Sequence, residues 1–130
     1  MKKEKIYFAS DFHLGSPNFE ESLKREKKII SWLNEIEIDA KKIYLLGDIF
    51  DFWFEYEKVV PKGFVRLLAK LADLVDKGIQ IHFLVGNHDM WMRDYLEKEI
   101  GLKVHFKEFI VEENNQLILI GHGDGLGKGD

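Results

Sequence analysis

The sequence predicts an α/β fold built on a parallel sheet, and three observations carry that expectation. Short apolar runs rich in strand formers, from Ile6 to Ala9, Ile43 to Leu46 and Ile79 to Val85, recur along the chain. Stretches with helical spacing separate them, the alternation that produces parallel strands with covering helices. Each run stops at a polar cluster beside glycine, and in an open α/β sheet the carboxyl ends of strands are where ligands bind.

The first strand ends at Ser10-Asp11-Phe12-His13-Leu14-Gly15. Asp11 and His13 are two apart, so in extended backbone both side chains leave the same face. Ser16-Pro17-Asn18 reads as a loop. The charged residues from Glu20 to Lys28 lead into Ile29, Ile30, Trp32, Leu33 and Ile36, a helix with one apolar stripe in which Trp32 is core. The second strand gives way to Gly47-Asp48-Ile49-Phe50-Asp51, where the glycine lets the backbone turn sharply and Asp48 project beyond the strand. Pro61-Lys62-Gly63 breaks the chain before a helix marked by Phe64, Leu67, Leu68, Leu71, Leu74 and Val75, stopped by Lys77-Gly78. The third strand closes on Gly86-Asn87-His88-Asp89. A short helix from Arg93 to Ile100 ends at Gly101. The period then changes to two (Leu102, Val104, Phe106), and Phe109 to Glu113 and Leu117 to Ile120 flank Asn114-Asn115, a hairpin turn.

Length and composition fit one domain over residues 1–130, with 45% hydrophobic and 32% charged residues. A net charge of −4 supplies no basic field, so no nucleic-acid partner is expected. With no cysteine, any metal must sit on His, Asp, Glu or Asn, a donor set suited to Mn, Mg, Fe or Zn. The apolar run behind the basic start Met1-Lys2-Lys3-Glu4-Lys5 stops at Ala9, too short for export. No stretch approaches a membrane span, so a cytoplasmic location is expected.

Four strands thus end in polar clusters: Asp11/His13, Asp48/Asp51, Asn87/His88/Asp89 and His122. Parallel neighbours bring the first three to one edge, and a hairpin whose second strand runs in the same sense adds His122. A pair of divalent cations needs a shared carboxylate, and Asp48, in the middle, is the expected bridge. Such a pair clamps a phosphate and activates water for in-line attack. His88 is then placed to assist the developing charge or leaving oxygen. Simpler readings stand beside this one: Asp11 as a turn residue, Asp51 as a hydrogen-bonding partner of its own turn, Asp89 as the N-cap of the following helix. His82 and His105 lie inside strand patterns and are left out of the site.

Taken in order, Asp-x-His, Gly-Asp-x-x-Asp, Gly-Asn-His-Asp and a strand ending in Gly-His resemble the calcineurin-like metallophosphoesterase superfamily over nearly the whole chain. The resemblance implies a four-layer α/β/β/α sandwich. It places Asp11, His13 and Asp48 on one metal and Asp48, Asn87 and His122 on the other, with His88 catalytic and Asp51 and Asp89 supporting it. The stretches Ser10 to Gly15, Gly47 to Trp53 and His122 to Leu126 are most similar to the branch that hydrolyses UDP-2,3-diacylglucosamine. For that branch the implied substrate is a nucleotide-lipid, the two divalent ions are manganese, and the enzyme works at the cytoplasmic membrane face as a peripheral protein. One departure is His88, where some members of the branch carry arginine.

The superfamily has a further Gly-His-x-His motif beyond the position matching Asp130. The resemblance therefore implies that residues 1–130 are the amino-terminal half of the sandwich, expected alone to bind metal weakly and turn over little substrate. Two rival readings stay open: a general phosphodiesterase or protein phosphatase of the same superfamily, and a catalytically silent scaffold. The aromatic stretch Phe52-Trp53-Phe54-Glu55-Tyr56 has two readings as well, core packing or an apolar surface near acyl chains.

Overall fold

The computed structural model describes residues 3–56, 59–89 and 91–121. Four parallel strands, β1 (Lys5–Ala9), β2 (Ala40–Leu46), β3 (Gln80–Leu84) and β4 (Lys103–His105), lie in the order β1-β2-β3-β4. The helices α1 (Phe19–Ile36), α2 (Val65–Asp76) and α3 (Tyr95–Glu99) connect them, as the alternating pattern predicts. Tyr7 meets Trp32 of α1 edge to face, so the helices cover that side of the sheet. Phe8, the next residue, points the opposite way.

On that opposite side lies a separate two-stranded antiparallel sheet, β5 (Phe109–Glu113) and β6 (Gln116–Ile120). The hairpin does not lengthen the parallel sheet; it packs on its face. Phe8, Tyr44 and His82 occupy one row across the strands and stack with centroids 5.1 and 4.7 Å apart. The row continues through His105 to Phe109 of β5, whose ring lies 3.8 Å from that of His105. Glu113, buried at the end of β5, accepts hydrogen bonds from Tyr44 Oη (2.8 Å) and Lys42 Nζ (2.7 Å). Face-to-face stacking and this buried carboxylate explain why the hairpin is a layer and not an edge. Helices, parallel sheet and hairpin make three of the four layers implied by the resemblance. Ile110, Leu117 and Leu119 on the hairpin's outer face are exposed.

The core lies between sheet and helices: Ile29 and Leu33 of α1, Leu67, Leu71 and Leu74 of α2, and Ile43, Leu45, Ile81 and Phe83 of the strands. Asn18 caps α1, its Oδ1 accepting from Glu21 N. The first residue of α2 follows Phe64, which offers no capping side chain. A buried carboxylate from α1 takes its place: Glu26 Oε2 accepts from Leu67 N at 2.9 Å. Trp53 is fully buried, so it belongs to the core, while its neighbours Phe52 and Phe54 are exposed. Its indole N–H donates to Glu55 Oε2 at 2.8 Å, and Glu55 Oε1 in turn accepts from Tyr95 N at the start of α3.

Two outcomes are expected. Glu26→Ala leaves a buried amide without its charged acceptor and lowers unfolding stability by roughly 1.5–3 kcal/mol, whereas exposed Glu20→Ala changes it by less than about 0.5 kcal/mol; chemical denaturation measures both. His82 is bonded to His105 at 2.9 Å, and burial depresses its pKa from the ordinary 6.5 to about 4. A depressed imidazole contributes stability that is complete above 6.5 and is lost as the pH falls through about 4. Melting temperatures of His82→Phe are expected to fall less steeply across that window than those of the parent protein.

Candidate metal centre

Because β1, β2 and β3 are parallel and in register, Ala9, Leu46 and Leu84 end at the same edge. Beyond it the loops keep running side by side. Asp11 N donates to Gly47 O, His13 N to Asp48 O and Leu14 N to Ile49 O, each at 3.0 Å, and Asp51 N donates to Leu14 O at 2.9 Å. The loops after β1 and β2 are thus tied together by backbone bonds with Asp11, His13, Asp48 and Asp51 among them.

The loop after β3 is fastened to the same assembly by Asp89, which is fully buried. Its Oδ1 accepts from Gly86 N at 2.6 Å and its Oδ2 from Ile49 N at 3.0 Å. It is therefore no N-cap: α3 begins six residues later, after Asp94. Burial raises the Asp89 pKa, and the amide hydrogen bonds pull it back down. Asp48, also buried, accepts from His88 N through Oδ1 at 2.9 Å. Gly86 packs against it so closely that a β-carbon there would sit 2.7 Å from Asp48 N.

Three residues that carry the site adopt left-handed backbone: Asp11 (φ 60°), His13 (φ 46°) and Asp48 (φ 52°). Such conformations cost on the order of 1–3 kcal/mol each outside glycine and concentrate at functional sites. With the backbone so turned, the Asp11, His13 and Asp48 side chains come together. Ligand atoms of Asp11, His13 and Asp48 all fall within 4.8 Å of one another, and so do those of His13, Asp51 and His88. His13 belongs to both groups, with Nε2 3.5 Å from Asp11 Oδ1 and Nδ1 3.4 Å from Asp51 Oδ1. The imidazoles of His13 and His88 meet edge to face at 4.9 Å. His88 Nδ1 lies 2.9 Å from the Asp51 carbonyl, and that hydrogen bond raises the His88 pKa, helped by the charges of Asp48, Asp51 and Asp89.

Hard carboxylates and imidazoles in two overlapping groups, with a backbone approach only glycine allows, are a donor set that fits divalent cations. Asp51 stands closer to the centre than a supporting residue needs to, within ligand reach of both imidazoles. Asn87 is exposed between Gly86 and His88. His122, expected on the second metal, lies outside the described residues. His82 and His105 lie on the hairpin side, bonded to each other. Gly86 belongs to a motif legible in the sequence, but its packing against Asp48 leaves no trace in a one-dimensional pattern.

The sequence pattern of the calcineurin-like phosphoesterase family matches residues 4–126. Among relatives, a UDP-2,3-diacylglucosamine hydrolase of Porphyromonas gingivalis is 49% identical over 122 residues, covering 94% of this chain and 47% of that protein. A protein of the same name from Proteus mirabilis is 32% identical over 92% of this chain and 48% of its own. The chain spans about half the length of these relatives. A solved structure of a protein of unknown function from Aquifex aeolicus superposes with a TM-score of 0.57 at 23% identity, covering 88% of this chain and 57% of that one, a likeness of fold.

Gly86→Ala is expected to push Asp48 out of place. By isothermal titration it should weaken manganese binding at least about 10-fold, the loss typical of disturbing a ligand's support, with circular dichroism unchanged.

Proposed function

The chain belongs to the calcineurin-like phosphoesterase family, and from that premise we propose that it carries the metal centre of a two-metal phosphoester hydrolase. The substrate class we propose is the diphosphate of a nucleotide-lipid, UDP-2,3-diacylglucosamine, cleaved to UMP and 2,3-diacylglucosamine 1-phosphate. The observation that carries the reading is the meeting of Asp11, His13 and Asp48 with Asp51 and His88 through a shared imidazole. Two divalent cations, manganese in this proposal, would be held by Asp11, His13, Asp48, Asn87 and His122, with Asp51 within reach. When bound, they supply Lewis-acid polarisation of the phosphoryl group and a nucleophile at neutral pH.

The chain's own residues do the rest. Asp48 is held by the His88 amide and packed by Gly86, so its carboxylate does not reorganise during a turnover. His88 is solvent-facing, and its hydrogen bond to the Asp51 carbonyl favours the protonated imidazole. That suits a donor to the phosphoryl oxygen or the leaving group. Asp51 orients the imidazole through its carbonyl. Asp89 stays buried and holds the loops together without touching substrate.

The lipid-bearing substrate is supported by the surface beside the loops. Trp53 N donates to His88 O, and the chain on either side presents Phe52 and Phe54 to solvent. Phe54 pairs with exposed Trp91 at 6.0 Å. This aromatic face beside a charged centre fits acyl chains or a membrane surface. No helix among the described residues is long and apolar enough to cross a membrane, and we place the protein peripherally at the cytoplasmic face. A general phosphodiesterase is the second reading, favoured by a histidine at position 88.

Because residues 1–130 alone are expected to turn over little substrate, the choice is tested in the full-length protein, by release of UMP from UDP-2,3-diacylglucosamine against hydrolysis of bis-p-nitrophenyl phosphate. Preference for the nucleotide-lipid is expected, and preference for the small diester supports the second reading. Loss of the His88 imidazole in His88→Ala is expected to lower kcat by about 10²–10⁴-fold with manganese affinity kept. Asp48→Asn is expected to lose both. Absent manganese binding by the full-length protein, measured by isothermal titration, would favour the scaffold.

A further inference from the structure

The loop that carries Asp11 and His13 is gripped from behind by α1. Arg25 reaches under it and donates from Nε to Phe12 O at 2.9 Å, from Nη2 to His13 O at 2.6 Å, and from Nη2 to Ser16 O. One turn earlier, buried Ser22 accepts from Gly15 N through Oγ at 2.7 Å. His13 is thus held at both ends of its own backbone: its N–H by Asp48 O and its carbonyl by Arg25. It is held there in the left-handed conformation, and it is the residue common to both groups of ligand atoms.

From this geometry we infer that Arg25 is a positioning residue for the metal centre: its guanidinium fixes the reversed backbone at His13 and so sets the ligand geometry of the Asp11/His13/Asp48 group. The inference rests on the metal-centre reading above and deepens it. Left-handed backbone at a non-glycine residue is costly and persists only where its surroundings over-determine it. Three carbonyls converging on one planar fork supply that determination. An ammonium has no fixed fork with which to hold carbonyls in different directions, so lysine is a poor substitute here. Arg25 spends its guanidinium on the loop backbone, not on substrate. Its effect reaches the metal through the orientation of His13, as partners behind a ligand commonly act.

The test compares Arg25→Lys and Arg25→Ala with Lys24→Ala, an exposed cation one position earlier whose partner is Glu21. Two readouts are taken: manganese affinity by titration, and hydrogen exchange at the His13 and Leu14 amides without metal. For both Arg25 variants the expected results are manganese affinity reduced about 10- to 100-fold and faster exchange at these amides, with unchanged values for Lys24→Ala. In the full-length protein, activity is expected to return at saturating manganese with the substrate KM unmoved. Should Arg25→Ala fail to fold, Arg25→Lys decides. Unchanged exchange in a folded variant overturns the inference whatever the metal does, and so does faster exchange with parental manganese affinity. Parent protein that takes up no manganese would sink the metal centre itself, and the inference with it.

Discussion

The arrangement depends on one buried carboxylate. Asp89 has no exposed surface, and its two oxygens take amide hydrogens from two different loops, Gly86 after β3 and Ile49 after β2. A buried carboxylate that lost these donors would be left with the full penalty of desolvation. The two loops therefore cannot separate cheaply. Once they are joined, the His88 amide lies against Asp48 and Gly86 must remain without a side chain. The parallel register brings the strand ends to one edge, and Asp89 converts that neighbourhood into a fixed geometry.

A second constraint acts from the helix side. The reversed backbone at Asp11, His13 and Asp48 represents stored strain, and backbone bonds between the first two loops together with Arg25 and Ser22 hold it. The centre is thus squeezed between α1 and the loop after β3, with β2 in the middle. Among the described residues, the hairpin layer contributes none of these bonds. It is anchored instead by the aromatic row from Phe8 to Phe109 and by the Glu113 pair with Lys42 and Tyr44. Chemistry occupies one end of the sheet, and the second layer is attached across its face.

Much of this was legible in the residues alone, because strand-ending polar clusters are local and the parallel order follows from the alternation of runs and helices. The short motif Gly-Asn-His-Asp was readable as a unit, but the role of Asp89 was not. A carboxylate after a strand and before a helix looks the same whether it caps the helix or turns inward, and only the fold brings Ile49 N to it. Trp53 was ambiguous for a related reason: in an aromatic run, burial alternates along the extended backbone, and sequence does not say which residues face in. The buried acids Glu26, Glu55 and Glu113 gave no signal, since each answers an amide or hydroxyl far away in the sequence, Glu55 taking the neighbouring Trp53 indole as well. Arg25 sits in a charged stretch that reads as a solvated helix face. His122 remains an expectation from its motif.

The proposed chemistry requires cations that share the ligands gathered at this edge. Anomalous scattering from manganese-soaked crystals of the protein observes that directly. Two peaks about 3.5–4 Å apart are predicted, one between Asp11, His13 and Asp48 and the other on the His88 side of the Asp48 carboxylate. Peaks elsewhere on the surface, or none at this edge at full manganese occupancy of the solution, would contradict it.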